Sequence, residues 1–323
     1  MTILRILPFF LLSVNLAAQL PAKMVDYREA RNGVTVLTAE IQVPEEDAGY
    51  TLLLPAEGLV RAVIVMFHSG RDTTHPGFEQ RLYVDAVQRE VATLYITTGN
   101  LFEFLFDEEK YRQLDDYLGK AIIENQLPAD KMVFAGMSLA GTRAMKFGEW
   151  CMMGKSRYGI RPAGIAVCDA PLDFVRFWQE LKRAMKLNHD PVSVSEAGWV
   201  STVLERNLGG SPDDNPAAWL DYSPYSHQRL DGGHAALLKT VPVRAYTEPD
   251  VLWWMENRGK DYYAMNAIDA AALINTLRLL GNEKAELILT QNRGHHPDGT
   301  RHPHSWSIVD NAELVQWVLE ICE

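Results

Sequence analysis

Residues 131–150 read KMVFAGMSLAGTRAMKFGEW. The first six form a short apolar run of strand length, the stretch from Leu139 onward has helical composition, and Ser138 falls on the turn between them. A serine on so sharp a strand-to-helix turn needs small residues two places before and two places after it, because the turn brings the helix start against the strand. Gly136 and Ala140 meet that demand.

Outward from this turn the chain alternates. Before it come a continuous apolar run at 62–67, a helical stretch at 77–90, a strand at 92–97 and a helix at 108–125; after it come the helix at 139–150 and a strand at 163–168. Continuous apolar runs mark strands covered on both faces, and strands alternating with helices over short connections build a parallel sheet. Residues 33–43 alternate like a strand and pair, as a hairpin, with 50–54 across the turn-rich 44–49. Residues 173–239 break the rhythm with helical segments, four prolines and Trp178, Trp199 and Trp219, which is where an insertion belongs. The alternation resumes with a strand at 241–246, a helix at 261–280, a strand at 285–290 and a last helix at 311–321. The expected fold class is α/β: a mostly parallel central sheet with helices on both faces and a helical lid insertion.

Composition narrows the function classes. The 323 residues are 47% hydrophobic and 23% charged, which supports a sizeable core. A formal charge of −11 repels a phosphate backbone, so nucleic acid is not an expected partner. Three scattered cysteines, Cys151, Cys168 and Cys322, form neither a disulfide framework nor a thiolate zinc site. At the N-terminus Arg5, the apolar residues 6–12 and the small Ala17-Ala18 read as a secretory signal peptide over 1–18. An uncharged stretch of about 15 residues is too short to span a bilayer, so no stable membrane insertion is expected after its removal. Removal takes away one base and no acid, so −11 becomes −12. The expectation is an exported protein, periplasmic or extracellular, with residues 19–323 as a single domain.

In strand, turn and helix context, Gly136-Met137-Ser138-Leu139-Ala140 resembles the G-x-S-x-G turn of the α/β-hydrolase superfamily, with Ala in the last place, and the resemblance covers nearly everything after the leader. The segment holding Gly209-Gly210-Ser211-Pro212, Asn215-Pro216 and Tyr222-Ser223-Pro224 also has some resemblance to prolyl-oligopeptidase-type catalytic domains. The superfamily order of nucleophile, acid and histidine implies Ser138 as nucleophile, an acid after the 241–246 strand and a histidine after the 285–290 strand. Asp250 is the preferred acid, with Glu248 the alternate. His304, just ahead of the terminal helix, is the preferred base, with His295 and His296 as alternates. His302 is expected to bond the loop or face solvent.

The resemblance also implies an oxyanion hole built from the Leu139 N–H and a second N–H from the loop after the 62–67 strand. That loop reads Phe67-His68-Ser69-Gly70, and either Gly70 or Ser69 is the expected donor. Trp253 and Trp254 could line the pocket or belong to the core. Asp169 and Asp173 flank Pro171, with capping of the next helix as the expected use and substrate contact as the alternative.

Together these readings imply a secreted serine esterase that forms an acyl-enzyme on a small-molecule or glycan-linked ester and needs no cofactor and no metal. A peptidase or amidase of the same fold, and a non-catalytic ligand-binding protein, are the alternatives. A metal site in the His cluster is a weaker option, since no H-E-x-x-H spacing accompanies it.

Overall fold

The computed structural model describes residues 22–68, 81–296 and 298–323. In chain order the strands and helices before the Ser138 turn are β1 (Ala22–Glu29), β2 (Val34–Val36), β3 (Gln42–Pro44), β4 (Ala48–Pro55), β5 (Ala62–Met66), α1 (Leu82–Val87), β6 (Val91–Thr97), α2 (Glu108–Asn125) and β7 (Met132–Met137). After it come α3 (Leu139–Met152), β8 (Gly164–Cys168), α4 (Phe174–Leu187), α5 (Pro191–Leu208), α6 (Pro216–Tyr222), β9 (Val243–Thr247), α7 (Val251–Arg258), α8 (Ala267–Leu279), β10 (Ala285–Leu289) and α9 (Asn311–Cys322).

The main sheet runs β1-β4-β6-β5-β7-β8-β9-β10. β4 is antiparallel to both its neighbours, and every pairing from β6 to β10 is parallel. The continuous apolar runs explain the layering. Along β5 and just past it, Val63, Val65 and Phe67 enter one core with residues of α2, α3 and α8. Ala62, Ile64 and Met66 enter the opposite core with α1 and α9. A strand apolar at every position is thus buried on both faces, the signature of a sheet sandwiched between helices.

The first strands differ from expectation. Residues 50–54, inside β4, pair with β1 in the register Tyr27↔Tyr50, while β2 and β3 form a separate two-stranded ribbon. β4 is buried through Ala48–Leu53 and therefore needs ladder partners on both edges, β1 and β6, which a two-stranded hairpin cannot supply. The expected helix at 261–280 is likewise divided into a 3-10 turn, Tyr262–Ala264, and α8.

Between β8 and β9, helices α4 to α6 build a separate core around Phe174, Leu181, Val200, Leu204 and the fully buried Trp219, joined by Leu37 and Phe104 from earlier in the chain. The following 3-10 segment Gly233–Leu238 instead returns Ala235 and Leu238 to the sheet's core. Both ends of the helical excursion are tied to Asp269 on α8. Leu172 N and Asp173 N donate to its Oδ2, Arg176 Nε lies 2.5 Å from its Oδ1, and His227 Nε2 lies 3.2 Å from Oδ1. The two ends also bond each other: His227 N donates to Asp173 Oδ2 and Phe174 N to Ser223 Oγ. Cys151, Cys168 and Cys322 are buried, and no disulfide joins them among the described residues. Among the described residues no helix is long and apolar enough to cross a membrane.

Candidate active site

Ser138 stands between β7 and α3 with φ 53° and ψ −129°, a conformation that L-residues adopt only when the surroundings enforce it. Two bonds enforce it here: Ser138 N donates to Cys168 O on the neighbouring strand, and Thr142 N donates back to Ser138 O. The small-residue demand has an atomic cause. A Cβ on Gly136 would sit 2.4 Å from Ala140 C and 2.5 Å from Ala140 O. One on Gly141 would sit 2.8 Å from Gly136 O, so Gly141 belongs to the same close approach although the five-residue pattern ends before it. Leu139 opens α3, and a first-turn N–H has no partner inside its own helix.

The other proposed oxyanion donors, Ser69 and Gly70, lie outside the described residues. The chain leading to them is held by α3 itself. Arg143, buried, donates from Nη1 to Phe67 O at 3.1 Å, from Nε to Glu103 O at 2.6 Å and from Nη2 to Leu101 O at 2.5 Å. Burial pulls this guanidinium down to about 10, still well above neutrality, so it remains charged while bonded to three carbonyls.

His304 Nδ1 lies 2.6 Å from Asp169 Oδ2. Asp169 directly follows β8, next to the strand that leads to Ser138, and has φ 44°. Its backbone N–H bonds Tyr246 O, its carbonyl accepts from Asn266 Nδ2, and its second carboxylate oxygen accepts from Thr247 Oγ1 at 3.2 Å. With Nδ1 committed to this carboxylate, Nε2 is the nitrogen left for proton exchange. Burial opposes the charged imidazolium, but the hydrogen bond to Asp169 and its negative charge outweigh that, with a smaller contribution from Glu196, and the His304 pKa is raised.

The expectation that Asp250 or Glu248 would face His304 is corrected. Asp250 Oδ1 caps α7 by accepting from Trp253 N, and its Oδ2 lies 3.0 Å from Arg301 Nη2. Glu248 is buried and accepts from Arg293 N, from Thr290 Oγ1 and from Arg301. Arg301, three residues ahead of His304, thus draws both carboxylates to itself. Asp173 does cap α4, accepting from Val175 N and Arg176 N, but Asp169 does not cap it. A carboxylate one residue past the strand beside the nucleophile strand was the available signal, since functional groups of parallel sheets gather at the strands' carboxyl ends.

Among the other histidines, His295 and His296 are exposed. His302 pairs through Nδ1 with His304 O at 3.0 Å and packs against Trp253, ring centroids 5.1 Å apart. Burial and the neighbouring His304 push its pKa down to about 4, so it is neutral at ordinary pH.

Ser138, Asp169, His302 and His304 line one cleft of about 160 Å³, partly open to solvent. Its far wall comes from the excursion, through Phe177, Leu181 and Val192, and from Trp254 and Arg258 of α7. Trp254 lines the cleft; Trp253 packs against it at 5.1 Å and is half-buried.

No protein-family model matches the chain, and no curated protein matches it in sequence. Solved structures do. Carboxyl esterase 2 from the mycorrhizal fungus Tuber melanosporum superposes with a TM-score of 0.53 at 13% identity, covering 85% of this chain and 82% of that one. A thermostable esterase from Pseudomonas putida gives 0.52 at 13%, covering 94% and 80%. A hormone-sensitive lipase from a metagenome library gives 0.50 at 15%, covering 85% and 82%. Eight strands in this order, flanked by helices and interrupted by a helical excursion after β8, together with these likenesses, give the chain the α/β-hydrolase fold.

Proposed function

We propose that the protein is a serine ester hydrolase whose triad is Ser138, His304 and Asp169. The observation that carries this reading is the 2.6 Å contact of His304 Nδ1 with Asp169 in the cleft that Ser138 also lines. In this reading Ser138 Oγ attacks the ester carbonyl while His304 Nε2 takes its proton, and Asp169 holds the ring and stabilises the imidazolium. The tetrahedral oxyanion is bound by the Leu139 N–H, favoured by the positive end of α3, and by an N–H from Ser69 or Gly70. His304 then protonates the leaving alcohol, and water, activated by the same imidazole, releases the acid and restores Ser138. Neither step needs a cofactor. The esterases and lipase of the same fold support ester substrates, and the basic, apolar and small-residue pattern of residues 1–18 supports export.

The test is labelling by a fluorophosphonate probe together with hydrolysis of p-nitrophenyl acetate. Both should occur in the wild type and vanish in a folded Ser138→Ala variant. Labelling or turnover that persists in Ser138→Ala would remove the reading, and a wild type inert to both would favour a ligand-binding role.

A further inference from the structure

The cleft's far wall contains one charged position in an apolar stripe. Phe177, Glu180, Leu181 and Ala184 of α4, spaced three and four residues apart, all line the cleft. Glu180 is 4% exposed. Its Oε1 lies 3.0 Å from Lys260 Nζ, just past α7, and its Oε2 has no hydrogen-bond partner among the described residues. A carboxylate oxygen withdrawn from water and left unbonded is costly, and such groups in folded proteins call for a reason. Packing does not supply one, because an apolar residue would continue the stripe better. Trp254 stands beside the pair, with Lys260 Nζ 5.6 Å from its ring centroid.

We propose that Glu180 and Lys260 together receive a hydroxyl group of the substrate, so that the esters hydrolysed are those of sugars or other polyols. This deepens the serine-hydrolase reading and rests on it. A hydroxyl is both donor and acceptor: it donates to Glu180 Oε2 and accepts from Lys260 Nζ, which carries three N–H groups. A substrate ammonium matches the pair less well, since Lys260 already balances the carboxylate and would face a second cation at the same point. The terminal torsion of glutamate is broad, so the carboxylate turns toward the hydroxyl without moving α4. Trp254 provides a face on which the apolar side of a sugar ring packs.

The experiment compares kcat/KM for a mono-acetylated pentose, ethyl acetate and glycine ethyl ester in the wild type, Glu180→Gln and Lys260→Met, with near-ultraviolet circular dichroism to verify folding. The wild type should prefer the acetylated sugar over ethyl acetate by at least about 100-fold, as a site built for a hydroxyl rejects the analogue lacking it. Each variant should cut that ratio about tenfold or more. Equal wild-type rates, or a ratio unchanged in both variants, overturns the proposal. So does a glycine ethyl ester preference that collapses in Glu180→Gln, which would assign an ammonium instead. Should a variant not fold, inhibition of wild-type p-nitrophenyl acetate hydrolysis by the free pentose decides: competitive inhibition supports the site, and none at saturating pentose overturns it. Fluorophosphonate labelling separates the two levels. Labelling without sugar preference removes this inference alone, whereas no labelling and no ester turnover removes the serine-hydrolase reading as well.

Discussion

Asp169 and His304 are 135 residues apart in sequence and 2.6 Å apart in space, with the carboxylate delivered by β8 instead of by the segment after β9. Exchanging Asp169 for Asn keeps the shape but removes the charge that holds the ring in its tautomer. Asp169→Asn should therefore lower kcat for p-nitrophenyl acetate by about 10³–10⁴-fold. Asp250→Asn, whose side chain among the described residues bonds the α7 cap and Arg301, should lower it by less than about tenfold. The reverse order of effects in steady-state kinetics would return the acid role to Asp250.

The pH dependence follows from the same contact. In the proposed mechanism His304 must be neutral, and its pKa is raised, so the acid limb of kcat/KM should lie above the ordinary imidazole value near 6.5 and activity should fall as pH drops through it. Asp169→Asn removes the interactions that raise it, and residual activity should persist to lower pH. His302, down at about 4, titrates outside this range, so a single limb is expected. A pH–rate profile from 4.5 to 9 checks both statements.

Arg143 links the nucleophile helix to the loop that follows β5. Arg143→Met would leave the carbonyls of Phe67 and Glu103, both buried, and that of Leu101 without this donor, and stability to urea should fall by about 3 kcal/mol. Because Phe67 directly precedes the expected oxyanion segment, kcat should fall further than KM rises, by about tenfold or more. A loss confined to stability would mean that the loop keeps its position by other bonds.

At the Ser138 turn, Gly136→Ala would force a methyl to within 2.4 Å of the Ala140 backbone. A backbone overlap of this size cannot be relieved by a side-chain rotation, so destabilisation of about 3 kcal/mol is expected, seen in thermal unfolding as a Tm lower by about 6 °C. Gly154→Ala, whose methyl would meet nothing within 4 Å, is the matched comparison; its positive φ of 74° costs only the left-handed strain.

The parallel half of the fold was legible because its central strands β5, β7 and β8 are apolar at consecutive positions, as in 62–66, and alternate with helices over short connections. The serine turn was legible because its steric demand is local, confined to Gly136, Ala140 and their neighbours. The carboxylate beside His304 was not, because it depends on where a distant loop returns: Arg301 takes Glu248 and Asp250, and His304 falls beside Asp169. Local sequence around Asp169 gave a sound reason for capping, and Asp173, four residues on, fulfils that reason. β1 escaped because its partner β4 was already matched, on alternation alone, to residues that form the separate β2–β3 ribbon.

The knot of bonds around Asp269 has a consequence for how such a molecule can change. The excursion that walls the cleft leaves and rejoins the sheet at one point, where Leu172, Arg176 and His227 share a single carboxylate. A segment whose ends are already pinned together is a cassette: doubling its length adds only about 0.6 kcal/mol of closure entropy. The residues between Arg176 and His227 can be lengthened, trimmed or exchanged while Asp169, just past β8, and the helix that carries Asp269 keep their connections. The part of the cleft wall that α4 and α5 supply is thereby separable, along the chain, from the turn that carries Ser138.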